Sequence, residues 1–241
     1  MRNNLFIGYL IFLHLFLLLI LWKTDFIPRV GYRFGFIKQI DPEITQHYEE
    51  TAAFLERIDN NIPDETVIFI GDSGIQGLCV SAVVCPSVNF GIGTDTTIGV
   101  LKRLPRYQSL QRARACVLSI GGNDLRRRAN EEILENYNKI LQTIPQSLPL
   151  VIIAILPVDE RVRDDLAGRN RRTGELNDSL KILCEAQGPR CAFVDPGPIL
   201  ADASGNLKKQ YHVGDGVHLN GGGNSILIQK LKESVPRVKH Q

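Results

Sequence analysis

Net charge is nearly absent from this chain: 28 lysines and arginines against 26 aspartates and glutamates leave a formal +2. So small an imbalance carries no field suited to a nucleic-acid backbone. No aromatic-basic interleaving or zinc-finger spacing supplies one locally, so no nucleic-acid partner is expected. Internal repeats are missing, and glycine and proline are scattered rather than gathered in tracts. The acidic residues and the five histidines form no metal-ligand spacing. No metal and no cofactor are therefore expected. The glycines near Ser73 lack both a Walker lysine and a G-x-G-x-x-G pattern, which argues against nucleotide binding. Cysteine is sparse at five. Cys79 with Cys85, and Cys184 with Cys191, are each close enough in sequence to close a short disulfide in an oxidising compartment. Cys116 lies in an apolar stretch and reads as a buried free thiol.

Residues 5–22 are one apolar run, broken only by Gly8, Tyr9 and His14. As a helix it would be about 27 Å long at 1.5 Å per residue, near the thickness of a bilayer core. It has no polar stripe, and no small-x-small cleavage pattern follows it. The expectation is an uncleaved transmembrane anchor over 1–23, a membrane-proximal connector over 24–40, and a catalytic-sized domain over 41–241. The lipid bilayer is thus an expected partner. Lys23, Arg29, Arg33 and Lys38 after the run favour a cytoplasmic domain. The cysteine pairs favour the other side, and a membrane-anchored, extracytoplasmic (periplasmic or extracellular) location is expected.

In the domain, Asp41-Pro42-Glu43 can start a helix running to about residue 60. Stretches 67–70, 115–120, 150–156 and 191–194 are continuously apolar rather than alternating, and 87–90 is a weaker strand. Strands buried on both faces look like this. Helices are expected at 96–104, 130–143, 173–186 and 220–232. Alternation of strand and helix predicts an α/β fold, a three-layer α/β/α sandwich on a mainly parallel five-stranded, flavodoxin-like sheet. Ligands bind such sheets at the carboxyl ends of the strands. Three strands exit there into Gly71-Asp72-Ser73, Gly121-Gly122-Asn123-Asp124 and Pro157-Val158-Asp159-Glu160, and the weaker one into residues 91–95.

Ser73 is the candidate nucleophile, presented at a turn or helix start. His218 suits a general base near neutrality. Asp215, three residues earlier, can reach the imidazole Nδ1 and fix its tautomer. His212 is the rival base. Asn123 can donate to a developing oxyanion, and Gly122 permits close approach. Asp124 is expected to cap the turn after it, and Asp72 is given a structural role.

Taken together, Gly71-Asp72-Ser73, the stretch from Asn89 to Thr97, Gly121-Gly122-Asn123-Asp124 and Asp215-Gly216-Val217-His218-Leu219-Asn220 resemble the SGNH or GDSL hydrolase superfamily. The second block is most similar to its platelet-activating-factor acetylhydrolase and lysophospholipase branch. The resemblance implies a serine esterase working through an acyl-enzyme intermediate on a small ester substrate, either a small acyl ester or a lysophospholipid. It carries the nucleophile onto Ser73, the base onto His218 and the acid onto Asp215. It assigns the oxyanion donors to Ser73 N–H, Asn123 and a backbone N–H in the second block, with Gly91 and Gly93 supporting. The family's usual glycine there falls on Thr94, whose side chain narrows the site. Its usual leucine after the serine is Gly74.

Arg126, Arg127, Arg161 and Arg163 are candidate anion-binding residues at the same sheet edge, although Asp159, Glu160, Asp164 and Asp165 lie close enough to neutralise them. Two other functions fit the same residues: an O-acyltransferase acting on an envelope glycan, and a non-catalytic envelope binding protein.

Overall fold

A computed structural model describes residues 2–23 and 43–235. Two compact units divide the chain, Met1–Ile44 and Thr45–Gln241.

In the first unit, Arg2–Lys23 is helical (α1). Its described side chains run from Phe6 to Leu19 and are almost all exposed. Among the described residues no helix is long and apolar enough to cross a membrane. The expected transmembrane anchor, and with it the bilayer as a partner, is therefore not supported. The whole of the expected connector over 24–40, and the proposed helix start at Asp41-Pro42, lie outside the described residues.

In the second unit the first helix is α2 (Gln46–Asp59), capped by Thr45, whose side chain accepts from Tyr48 N–H at 3.1 Å. Five parallel strands follow: β1 (Val67–Gly71), β2 (Ser87–Gly91), β3 (Ala115–Ser119), β4 (Leu150–Ile153) and β5 (Cys191–Val194), in the order β2-β1-β3-β4-β5. This is the doubly wound order expected from the strand–helix alternation. The helices are α3 (Ser73–Gln76), α4 (Thr97–Arg103), α5 (Asn130–Thr143), α6 (Arg169–Glu185), α7 (Gly197–Leu200) and α8 (Gly221–Ser234).

Alternate strand residues feed two faces. Val67, Phe69, Val117, Val151, Ile153 and Val194 form one core with Ile75 and with Leu227 and Leu231 of α8. Their neighbours Ile68, Ile70, Cys116, Leu118 and Ile152 are just as buried. Burial on both faces explains why β1, β3 and β4 read as unbroken apolar runs.

The apolar pattern places the end of β4 three residues too late. Past Ile153, two α6 side chains replace the sheet partner: Asn177 bonds both N–H and C=O of Ile155, and Asn170 does the same for Val158. The cysteine pairs divide. Cys184 and Cys191 form a disulfide between α6 and β5. Cys79 and Cys85 are free and exposed, each turned onto Ser81, so the second expected pair is not formed. Cys116 is a buried thiol as expected, its pKa pushed up to about 12 by burial.

Candidate active site

The nucleophile turn is built by three local devices. Asp72 caps α3, its carboxylate accepting from Gly74 N–H at 2.9 Å. Ser73 is thus the first helical residue, with its hydroxyl at the mouth of the helix. Gly71 cannot carry a side chain, because a Cβ there would strike the Ser119 carbonyl of β3. Asn89 on β2 donates to the carbonyls of Ile75 at 2.6 Å and Leu78 at 3.0 Å, pinning the far end of α3 to the sheet. Burial pushes the Asp72 carboxyl up to about 6, against the pull of the Gly74 N–H.

The base comes from the segment before α8. Asn220 caps that helix by accepting from Gly222 and Gly223 N–H, and a bridge between His212 and Leu219 closes the loop behind it. Asp215 Oδ1 accepts from the N–H groups of Val217 and His218, both at 2.9 Å. Its other oxygen lies 2.5 Å from His218 Nδ1. Partial burial alone would raise the Asp215 carboxyl. The His218 bond and the two backbone donors outweigh it and hold the group down at about 2. With Nδ1–H donating to Asp215, Nε2 is left as an acceptor, and Ser73 Oγ lies 2.9 Å from it. Ser73, His218 and Asp215 therefore meet across 145 residues of chain.

His212 is not a second base. Its Nδ1 accepts from Gly214 and Gly216 N–H at 3.0 and 3.2 Å, and its ring is buried under the loop. It shapes the turn that carries Asp215.

Ser73, Gly93, Thr94, Gly122, Asn123 and His218 line one cavity of about 530 Å³. The Ser73 and Thr94 backbone N–H groups find no acceptor among the described residues. Asn123 spends one amide N–H on the Asp95 carbonyl at 3.0 Å, which leaves the other for the cavity. Thr94 adopts φ 66°, the left-handed conformation that glycine takes without cost. Gly91 stands outside the cavity: a Cβ there would collide with the Gln76 backbone, so its smallness serves the packing of α3 on β2. Contrary to the expectation from sequence, Asp124 does not cap the turn after it, because its carboxylate is engaged elsewhere. It reaches across to accept from Thr97 N–H and Oγ1 at the start of α4, and Arg128 bonds it from the other side.

The arginines divide. Arg126 and Arg163 line the cavity. Arg161 is bound away from it by Asp159 at 2.7 Å and Asp202 at 3.1 Å, and Arg127 lies outside it, exposed. Two further arginines matter: Arg169, one of the cluster after the fourth strand that the sequence places at this edge, and Arg103, which the sequence did not single out. Arg169 lines the cavity and donates to the Gly122 carbonyl at 2.6 Å. Arg103 is wholly buried and donates to Asp95 at 2.9 Å, Tyr107 Oη at 3.0 Å and the Gly71 carbonyl at 3.1 Å. It thereby ties the end of β1 to the loop after β2. A lone arginine among the apolar residues of the 96–104 helix was the available signal.

Residues 69–226 match the GDSL-like Lipase/Acylhydrolase family. The chain belongs to that family. Among curated relatives, platelet-activating factor acetylhydrolase IB subunit alpha1 of Bos taurus is 26% identical over 194 residues, covering 76% of this chain and 80% of the relative. Subunit alpha2 of Rattus norvegicus is 25% identical over 183 residues, covering 71% and 76%. A Streptococcus pneumonia structure described as a platelet activating factor superposes with TM-score 0.72 at 25% identity, covering 79% of this chain and 94% of that one. This GDSL protein is a hydrolase acting on ester bonds.

Proposed function

We propose that the protein is a serine esterase that removes a small acyl group, acetyl in the first instance, through an acyl-enzyme intermediate on Ser73. The observation that carries this reading is the unbroken chain of contacts from Ser73 Oγ through His218 to Asp215. His218 takes the hydroxyl proton as Oγ attacks the ester carbonyl, and Asp215 stabilises the imidazolium that forms. The free N–H groups of Ser73 and Thr94 and the Asn123 amide face the oxyanion. His218 then protonates the leaving alcohol, and water repeats the sequence to release the acid. The acetyl preference is supported by the mammalian relatives, which are acetylhydrolases by name. It is also supported by the Thr94 side chain standing where glycine would leave room. A location outside the cytoplasm belongs to the same reading and is supported by the Cys184–Cys191 disulfide.

Incubation with a fluorophosphonate tests the chemistry directly. Mass spectrometry of the digest will find one adduct, on the peptide bearing Ser73, and esterase activity will fall in step with labelling. Labelling elsewhere with full loss of activity would remove Ser73 from the reaction.

Thr94→Gly tests the acyl limit. Relief of left-handed strain and the extra entropy glycine loses on folding are both about 1 kcal/mol and opposed, so stability will change by less than about 1 kcal/mol. The ratio of kcat/KM for hexanoyl over acetyl esters will rise severalfold, read with matched 4-nitrophenyl esters.

A further inference from the structure

Arg169 opens α6, behind Gly168 in the left-handed conformation (φ 72°). One of its Nη groups is spent on the Gly122 carbonyl, next to Asn123. Its Nε is buried and has no acceptor among the described residues. A buried guanidinium N–H without a partner is unusual, because such groups are normally satisfied by protein, water or ligand. Desolvation, followed by repulsion from Arg126, lowers the pKa of this guanidinium, so an added negative charge beside it would be favoured. Arg126 and Arg163 line the same cavity and share a single carboxylate, Asp165, at 2.8 and 3.1 Å. Of the acids that line the cavity, Asp215 is engaged by His218, and Asp72 accepts from Gly74. Three guanidiniums therefore stand against Asp165 and Asp72.

Resting on the esterase reading, we propose that Arg169, with Arg126 and Arg163, forms a subsite for an oxyanion borne by the substrate, so that the preferred ester carries a phosphate or carboxylate group. The planar fork of an arginine suits both groups. Arg169 has a second attachment to Gly122, so the bound anion also steadies the glycine pair before Asn123. An ester whose charged arm fills the subsite is held with its carbonyl towards Ser73.

Three matched esters test this with the full chain: 1-acetylglycerol, its 3-phosphate, and O-acetylglycerate. A 1-O-alkyl-2-acetylglycerol 3-phosphate in mixed micelles, which keeps the acetyl ester, is the lipid-borne phosphate arm. The kcat/KM of the better charged acetyl ester will exceed that of 1-acetylglycerol by about tenfold or more, mainly through KM. That ratio will fall about tenfold in Arg169→Gln and severalfold in Arg163→Gln, and it will shrink with added salt. Turnover of the soluble phosphate ester but not the micellar one assigns the anion to a small metabolite, and the reverse assigns it to a lipid headgroup. Calorimetry with Ser73→Ala protein separates this inference from the one beneath it. Without turnover, that protein will bind the acetylglycerol phosphate at least tenfold more tightly than the neutral ester. A wild-type ratio near one, or equal binding of both ligands, overturns the subsite. So does a ratio unmoved by Arg163→Gln and by salt. Hydrolysis that survives Ser73→Ala overturns only the esterase reading.

Discussion

Ser73→Ala and His218→Ala will each lower kcat on a short-chain ester by a factor on the order of 10⁴ to 10⁶. Their combination will be no worse than either alone. The reason is geometric. Ser73 Oγ is a weak nucleophile until His218 Nε2, 2.9 Å away, accepts its proton. Removing either atom disables the same step, so the second removal has nothing left to disable. A remainder above the uncatalysed rate will persist, because the Ser73 and Thr94 N–H groups and the Asn123 amide stay in place. Asp215→Asn will cost about 10⁴, since an amide no longer selects the tautomer that leaves Nε2 free. Folding should be little disturbed in the serine variant, because Ser73 caps nothing; Asp72 does. Steady-state kinetics and thermal melts on the same preparations decide the matter. Losses that multiply in the double variant would mean that the two residues act in separate steps.

Arg103→Met will lower stability by about 3–5 kcal/mol, the cost of stranding a buried carboxylate. Asp95 is as buried as Arg103, and among the described residues its side chain forms an ion pair with no other cation. The Gly71 carbonyl and Tyr107 hydroxyl lose a donor at the same time. For a domain of this size the melting temperature should drop by roughly 2–4 °C per kcal/mol. Pairing the change with Asp95→Leu will recover much of the loss, because removing both charges leaves no uncompensated ion. Urea unfolding of the four proteins in this cycle gives the coupling directly. A coupling below about 1 kcal/mol would reduce the pair to ordinary packing. Any residual activity in Arg103→Met should report on Asn123, whose amide rests on the Asp95 carbonyl.

What the sequence disclosed follows from which forces act locally. β1 and β3 were legible because both faces are buried and the apolar run is continuous, and the half-buried edge strand β5 was legible from its short apolar run. The end of β4 was not, since Asn170 and Asn177 satisfy the backbone beyond it from a distant helix. Ser73, Thr94 and Asn123 were legible because strand exits in a parallel sheet converge on one edge, and Asp215 and His218, which follow no strand, were legible from their three-residue spacing in the loop before α8. Arg169 was legible as one of the arginines after the fourth strand, but its place at the start of α6 was not, because helix propensity starts α6 at Thr173. The extra turn depends on Gly168 entering the left-handed region and on contacts to Gly122, neither of which has a local signature. Spacing could not separate the two cysteine pairs either. Cys184 and Cys191 sit across a helix–strand corner that brings them together, while Cys79 and Cys85 turn to Ser81.

Arg103 moors the serine turn and the Thr94 loop to one another through Gly71 and Asp95. The imidazole loop is moored elsewhere, through Gly216 to Asp159 and through His212 to its own glycines. The reactive apparatus therefore hangs from two independent anchorages, and among the described residues the only hydrogen bond joining their reactive groups is the one from serine to imidazole. A strain that parts the anchorages would switch off proton transfer while leaving the anion-stabilising donors assembled.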